Sequence, residues 1–351
     1  MSLKDRIIAL IGTDGPLPVS VYMTLCLHDP EHGYYARGGG LGRDFATAPE
    51  TSQAFGELIG LWCAHEWLAM GSPDPCRLIE LGPGRGTLLA DALRATARHG
   101  GFREALDVQL VEASPALRAE QAERLAGDSA AAHKVAVSHP RDLSAVPDGP
   151  ALLIANEFLD CLPARQFVRD GGTWRERVIG ISDEGRLVAG LAADQAPDMP
   201  ASPENVLELQ PGLETLVETL GRRRGPFRAL FADYGPADRA PGDTLRAYRA
   251  GEQVDPLADP GEADLTVDVD FARLKRLAET AGLAVHGPVL QGGFLMALGL
   301  QARLDQLVAA NPDEAADIFA AAQRLVDPAE MGTRFQVICL STQGLPPPAG
   351  F

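Results

Sequence analysis

Arg77-Leu78-Ile79-Glu80-Leu81-Gly82-Pro83-Gly84-Arg85-Gly86 runs a short apolar segment straight into three glycines at alternate positions. The apolar part reads as a buried strand, and the residues after Gly86 read as a helix to about residue 98. Glycines in such a turn let a ligand approach the backbone, and the following helix start offers unpaired N–H groups. The spacing is G-x-G-x-G, whereas dinucleotide folds use G-x-G-x-x-G. A tight strand–helix turn without a ligand would look the same, so the flanking sequence has to decide.

Downstream, short apolar runs keep alternating with helical stretches. Val108-Gln109-Leu110-Val111-Glu112 reads as a second strand with a helix at 115–126, and Val135-Ala136-Val137 as a weak third. Residues 151–155 give a fourth strand, residues 227–232 a fifth and residues 335–340 a last one. Alternating β and α units predict a parallel sheet with helices on both faces.

Between strands four and five, three β-like runs are separated by Asp170-Gly171-Gly172 and Asp183-Glu184-Gly185, which predicts an inserted antiparallel meander, followed by a helix near 212–223. Residues 1–72 read as a helical N-terminal region, with Ser20 as a helix cap and a glycine-rich loop from Gly33 to Phe45. The expected division is therefore 1–72, a core of 73–164 plus 226–345, and an insertion of 165–225. Residues 235–265, rich in Gly, Pro and Asp, read as a long surface loop. Asp270 reads as the cap of a helix over 271–281. Helices are expected at 293–310 and 313–326, with the Pro346-Pro347-Pro348 tail outside the core.

With 351 residues, 46% hydrophobic and 23% charged, the chain is that of a packed protein. Its net charge of −17 repels phosphate backbones and anionic membranes, so nucleic acid is excluded as a general partner and a cationic partner is favoured. Five scattered cysteines without CxxC spacing suggest reduced thiols and a cytoplasmic compartment, with no metal site. The apolar runs are far shorter than the ~20 residues a membrane span needs, and no signal peptide is apparent.

The chemistry-bearing candidates lie at strand ends. Glu80, Gly82, Gly84 and Gly86 form the loop. Glu112, ending strand two, can accept both ribose hydroxyls of a nucleoside; a solvated strand-end glutamate is the alternative. Asp142, after strand three, can take an adenine amine or simply be a surface aspartate. Asn156-Glu157-Phe158-Leu159-Asp160 follows strand four, and a helical turn there would put Glu157 and Asp160 on one face. A structural salt-bridge arrangement is the competing reading. Carboxyl ends of parallel strands are where such sheets bind ligands.

Gly33-Tyr34-Tyr35, the run from Asp44-Phe45 through Pro49-Glu50 to Gln53 and Phe55-Gly56-Glu57, Glu80 to Gly86, Asn156 to Asp160, Ala232-Asp233-Tyr234-Gly235 and Ala263 to Phe271 together resemble the MidA-type S-adenosylmethionine-dependent methyltransferases, which include the mitochondrial complex I assembly factor. The resemblance covers nearly the whole chain. It implies a class I methyltransferase, Rossmann-like α/β sheet with an antiparallel last strand, and S-adenosylmethionine as cofactor. It also implies methylation of an arginine on a protein partner such as a respiratory complex I subunit. On that reading Glu157, Asp160 and Asn156 serve the acceptor, because paired carboxylates orient a guanidinium by bidentate hydrogen bonds. Glu80, Gly82, Gly84, Gly86, Glu112 and Asp142 serve the cofactor. Tyr34, Tyr35, Asp44, Phe45 and Glu50 belong to a lid near the methyl group, with His28 and His32 either proton acceptors or simply solvated loop residues. A non-catalytic assembly chaperone and a nicotinamide-dependent oxidoreductase remain open alternatives.

Overall fold

The computed structural model describes residues 1–37, 47–127, 135–196, 199, 204–240 and 242–351. The expected lid residues Asp44 and Phe45 lie outside the described residues. The N-terminal segment forms α1 (Leu3–Asp14), β1 (Leu17–Pro18), α2 (Val19–His28), α3 (Ala48–Thr51) and α4 (Gln53–Ala69). A capping box between Ser2 and Asp5 starts α1, and Leu3, Ile7 and Ile11, spaced by four, bury one face. Helix α4 begins where the Ser52 hydroxyl accepts the Ala54 N–H. Phe55, Leu58, Ile59 and Trp62 then bury its apolar stripe.

The sheet follows as β2 (Cys76–Leu81), α5 (Thr87–Ala95), α6 (Gly100–Ala105), β3 (Leu106–Val111), α7 (Pro115–Gly127), β4 (Ala136–Ser138) and β5 (Ala151–Asn156). The inserted segment is β6 (Arg165–Asp170), β7 (Thr173–Ile181), β8 (Leu187–Gln195), β9 (Val206–Leu209) and α8 (Pro211–Arg222). The chain returns as β10 (Phe227–Tyr234), then β11 (Arg246–Arg249), β12 (Glu252–Val254), β13 (Asp264–Thr266) and α9 (Phe271–Thr280). It ends with β14 (Ala284–Leu290), α10 (Gln291–Ala297), α11 (Leu300–Ala310), α12 (Ala315–Val326) and β15 (Phe335–Ser341).

The main sheet has the order β14-β15-β10-β5-β2-β3-β4. Strands β4, β3, β2, β5 and β10 run parallel, and β15 pairs antiparallel with both β10 and β14. The antiparallel last strand agrees with the sequence expectation. Every residue of β10 is buried, as a central strand covered on both faces requires. One face packs on α4, α5 and the C-terminal helices, the other on α8 and α9. A Cβ at Gly60 would lie 2.5 Å from the Ala92 backbone, so α4 meets α5 almost backbone to backbone. The chain leaves β2 toward β3 and β4, then returns to β5 on the other side of β2. That reversal opens a crevice beyond the carboxyl ends of β2 and β5.

The inserted strands form an antiparallel sheet, and β1 from the N-terminal segment joins it through β7. Several expectations need correction. Ser20 is not a cap; α2 starts at Val19 after Pro18. Residues 235–265 are not simply a loop, because β11, β12 and β13 form a small sheet there. Its hairpin turns at Ala250-Gly251, both with positive φ, a geometry the polar composition concealed. Strand β14 went unread because Gly287-Pro288 interrupts it; proline is tolerated there because β14 is an edge strand with a bulge. The helix expected over 293–310 is two helices broken at Gly299 (φ 93°).

The proline tail also differs from expectation, since it docks onto the core. The Arg228 guanidinium donates to the Pro346 carbonyl, and Trp62 Nε1 donates to the Ala349 carbonyl. Glu66 accepts the Ala349 N–H and pairs with Arg228 at 2.7 Å, both side chains being fully buried. Removing one partner of a buried pair strands the other charge away from water. Glu66→Ala is therefore expected to cost about 3–5 kcal/mol of stability in urea unfolding, whereas Glu184→Ala, in an exposed pair, should leave the urea midpoint nearly unchanged.

Candidate active site

A cleft of about 1030 Å³ opens beyond the carboxyl ends of β2, β3 and β5. It is lined by Glu80, Gly82 and Gly84 from the first turn, Glu112 from the end of β3, Asp142 from beyond β4, and Asn156, Glu157 and Asp160 from beyond β5. His28, Tyr35 and Glu50 line it from the N-terminal segment.

The glycine turn is built for close approach. Gly82, Gly84 and Gly86 have φ of 62°, 53° and 78°, values that L side chains resist. A Cβ on Gly82 would lie 3.0 Å from the Phe158 ring, so the glycine turn and the turn after β5 are in contact. The fully buried Gln121 ties the loop to its neighbours. Its amide donates to the Gly84 carbonyl (2.7 Å) and reaches Glu112 Oε2 (3.5 Å), while its carbonyl faces His139 (3.1 Å).

Glu112 is buried, and its Oε1 accepts the Ser114 N–H at 2.7 Å, which fixes the carboxylate at the strand end. Burial raises its pKa. Glu80 is 4% exposed, and its Oε2 is buried with no hydrogen-bond partner. Burial, with Glu112 nearby, pushes the Glu80 carboxyl up to about 8. An orphaned buried oxygen beside a glycine cradle is an unpaired site for a cationic, hydroxyl-bearing ligand. An ammonium at Glu80, ribose hydroxyls at Glu112 and a backbone approach at the glycines suit the amino-acid and nucleoside parts of S-adenosylmethionine. Asp142 lines the same cleft, but its Oδ1 caps the turn at 143–145 by accepting from the Ser144 and Ala145 N–H groups and the Ser144 hydroxyl. These bonds all fall on Oδ1 and leave Oδ2 without a hydrogen bond from the described residues.

The expected helical turn after β5 is absent. Glu157 has φ 50°, the left-handed region that a non-glycine residue adopts at a cost of about 1–2 kcal/mol. Its Oε1 accepts from the Ala48 N–H (3.0 Å) and from the Asn156 amide (2.9 Å), which couples it to the start of α3. Its Oε2 receives no hydrogen bond from the described residues. The Asn156 amide oxygen is buried without a partner. Asp160 accepts the Tyr234 hydroxyl at 2.8 Å. Burial pushes Glu157 up to about 7 and Asp160 up to about 6.

Asp233 is the residue that reading the sequence left without a role. It is 1% exposed and accepts N–H groups from Phe158, Leu159 and Asp160. Burial and the neighbouring Asp160 raise its pKa well above the usual carboxylate range. Its signal in the sequence was an aspartate directly after the apolar stretch Ala229-Leu230-Phe231-Ala232, where a buried position demands partners.

Of the expected lid residues, Tyr35 lines the cleft, stacks on His28 (centroids 5.6 Å apart) and donates its hydroxyl to Asp264 at 3.1 Å. Glu50 also lines the cleft and accepts the Thr87 hydroxyl. Tyr34 is instead buried in the core of the N-terminal and inserted segments. His28 lines the cleft with its pKa lowered by burial, but His32 does not reach it.

Fold and cleft together define an S-adenosylmethionine-dependent methyltransferase. The family described as "Putative S-adenosyl-L-methionine-dependent methyltransferase" matches residues 58–289, and the chain belongs to it. The Drosophila melanogaster protein arginine methyltransferase NDUFAF7 homolog, mitochondrial, is 39% identical over 97% of this chain and 84% of its own length. The Homo sapiens protein arginine methyltransferase NDUFAF7, mitochondrial, is 36% identical over 94% of this chain and 81% of its own. A superfamily member from Burkholderia thailandensis, crystallised with S-adenosyl-homocysteine, is 28% identical with a TM-score of 0.85, covering 99% of this chain and 93% of that one. The cofactor is therefore S-adenosylmethionine, and the nicotinamide alternative falls away. The cytoplasmic expectation is overturned, because these curated relatives are mitochondrial proteins. Reduced cysteines, on which it rested, do not separate one reducing compartment from another.

Two ligand experiments follow. A cation arriving at Glu80 drives off the proton that its raised pKa retains at pH 7, so S-adenosylhomocysteine binding should release up to one proton. Calorimetry in phosphate and in Tris should then give different enthalpies, and Glu80→Gln should erase the difference. Glu112→Ala should weaken cofactor binding by about 1–3 kcal/mol in titration calorimetry, the scale of hydrogen bonds to a charged group, with Asp142→Ala weakening it less.

Proposed function

We propose that this methyltransferase modifies an arginine side chain of a protein partner, with Glu157 and Asp160 holding the guanidinium and Asn156 orienting Glu157. The observation that carries this reading is a charge imbalance. Glu157, Asp160 and Asp233 lie together in or beneath the cleft, and none forms an ion pair among the described residues. Buried carboxylates without counter-charge are costly, and a guanidinium offers a planar fork of donors to satisfy them. The relatives named protein arginine methyltransferases support the same acceptor class. A respiratory complex I subunit is the partner that the family resemblance favours, and the net charge of −17 favours a basic segment around the target.

The bound cofactor supplies an electrophilic methyl group. The protein's part is to bring a nitrogen into line with it and to exclude water. Glu157 Oε1 is already held by Ala48 and Asn156, so Oε2 is the oxygen left for the acceptor. Hydrogen bonds donated by the guanidinium to the two carboxylates draw positive charge away from the attacking nitrogen, which takes the methyl as the carbon–sulfur bond breaks to leave a neutral thioether and passes its proton to the Glu157 carboxylate. The stacked Tyr35 and His28 rings supply a flat wall to the cleft.

Tritiated-methyl transfer from S-adenosylmethionine into complex I subunits and into a whole lysate, with mass spectrometry of the labelled site, tests the reading; label on any residue other than arginine refutes it. Glu157→Gln should cut methyl transfer at least about tenfold, roughly 1.4 kcal/mol of transition-state stabilisation, while leaving cofactor affinity and melting temperature unchanged. A joint fall of all three would make Glu157 structural instead.

The acceptor is held by ionised carboxylates, and burial keeps Glu157 protonated below about 7. The acceptor kcat/KM should therefore rise with pH through neutrality and level off above it. Glu157→Gln should flatten that rise.

A further inference from the structure

The end of β10 governs the turn that carries both acceptor carboxylates. Register brings Ala232 opposite Asn156, and the Glu157 N–H donates to the Ala232 carbonyl at 2.9 Å. The next residue, Asp233, places Oδ2 against three successive N–H groups, those of Phe158 (3.1 Å), Leu159 (2.8 Å) and Asp160 (3.3 Å). Its Oδ1 accepts the Tyr234 N–H at 2.9 Å. Successive N–H groups converging beside a residue of positive φ make an anion-binding nest. Here the anion is part of the chain: both Asp233 oxygens accept N–H groups, which opposes the upward push of burial and favours the ionised carboxylate, and the residue of positive φ is Glu157. Tyr234 then holds the Asp160 carboxyl through its hydroxyl. Neither Asp233 nor Tyr234 lines the large cleft, so neither is available to touch the acceptor.

We propose that Asp233 and Tyr234 are positioning residues of the acceptor site: Asp233 fixes the backbone turn that aims Glu157, and Tyr234 fixes the Asp160 carboxyl. This rests on the reading of Glu157 and Asp160 as the acceptor-holding groups. Asp233 is suited to the task because both its oxygens are taken by backbone donors. An amide in its place has a single acceptor oxygen, so its NH₂ group must face either the three N–H groups of the turn or that of Tyr234, and in both cases the grip on the turn weakens.

The test uses the full chain and four readouts: melting temperature, S-adenosylhomocysteine affinity by calorimetry, kcat and KM for the acceptor that the wild type labels, and a crystal structure. Asp233→Asn should lower kcat about 100-fold, keep cofactor affinity within about twofold and lose the positive φ at Glu157. Adding Glu157→Gln to Asp233→Asn should slow the enzyme little beyond Asp233→Asn alone, because one residue acts through the other. Tyr234→Phe removes one hydroxyl oxygen and should lower kcat about tenfold, with little further loss when added to Asp160→Asn.

Losses that multiply in the double variants overturn the proposal. So does a fall in melting temperature and cofactor affinity that matches the fall in kcat, which would mean a merely structural role. If Asp233→Asn does not fold, Tyr234→Phe decides, and a wild-type kcat there refutes it. If Glu157→Gln is itself fully active, the acceptor reading fails by itself. The Asp233→Asn crystal structure then still reports on the turn, and an unchanged φ at Glu157 refutes the positioning role separately.

Discussion

A carboxylate taken out of water needs a counter-charge or a full set of donors, and the cleft is organised around carboxylates that have neither in full. Glu80 keeps a buried oxygen without a partner, and Glu157 and Asp160 have donors but no cation among the described residues. Each sits where a parallel strand ends, so the sheet order concentrates them at one crevice. Raised pKa values are the measure of that cost, with burial as the first cause in each case. On the proposed reading, the two cationic groups of cofactor and acceptor would supply what these carboxylates lack.

The architecture was legible because it rests on local pattern. The run Arg77 to Gly86 announced strand, turn and helix, and β2 and α5 lie there. The fully buried β10 showed through its apolar stretch Ala229-Leu230-Phe231-Ala232, and Asp270 showed as a cap, which its acceptance of the Arg273 N–H bears out. What escaped was non-local or disguised. Gly287-Pro288 hid an edge strand, and Ala250-Gly251 hid a hairpin within polar sequence. The docked tail escaped because its partners, Glu66 and Trp62, are more than 280 residues away.

The site was legible by residue type and less so by geometry. Glu80, Glu112, Asn156, Glu157 and Asp160 do share one cleft, because strand ends of one parallel sheet necessarily face the same way. Tyr34 was misread because adjacent residues of a short turn point to opposite sides: Tyr35 faces the cleft and Tyr34 the core. The missing helical turn after β5 has a specific cause. A helix there would satisfy its own backbone, whereas the Asp233 carboxylate draws three N–H groups to one point and bends the chain another way. No spacing rule within residues 156–160 could reveal an anchor that lies some 75 positions later and arrives only through the pairing of β10 with β5.

The electrostatics also account for why one cleft would serve a cationic acceptor. A sulfonium and a guanidinium about 4 Å apart repel by roughly 4 kcal/mol at an effective dielectric of about 20. On the proposed reading, carboxylates on the acceptor side offset that repulsion, and the arginines lining the cleft come from the glycine turn, the start of α7 and the segment beyond β4: Arg85, which pairs with Glu120, Arg118, whose guanidinium donates to the Glu112 backbone carbonyl, and Arg141. The negative charge therefore lies where the second cation must come. Once the methyl has moved, one positive charge is gone from the sulfur and the carboxylates remain. On the proposed reading they would then hold the product guanidinium in a field without a competing cation, and exchange of the spent cofactor would restore the repulsion that favours product release.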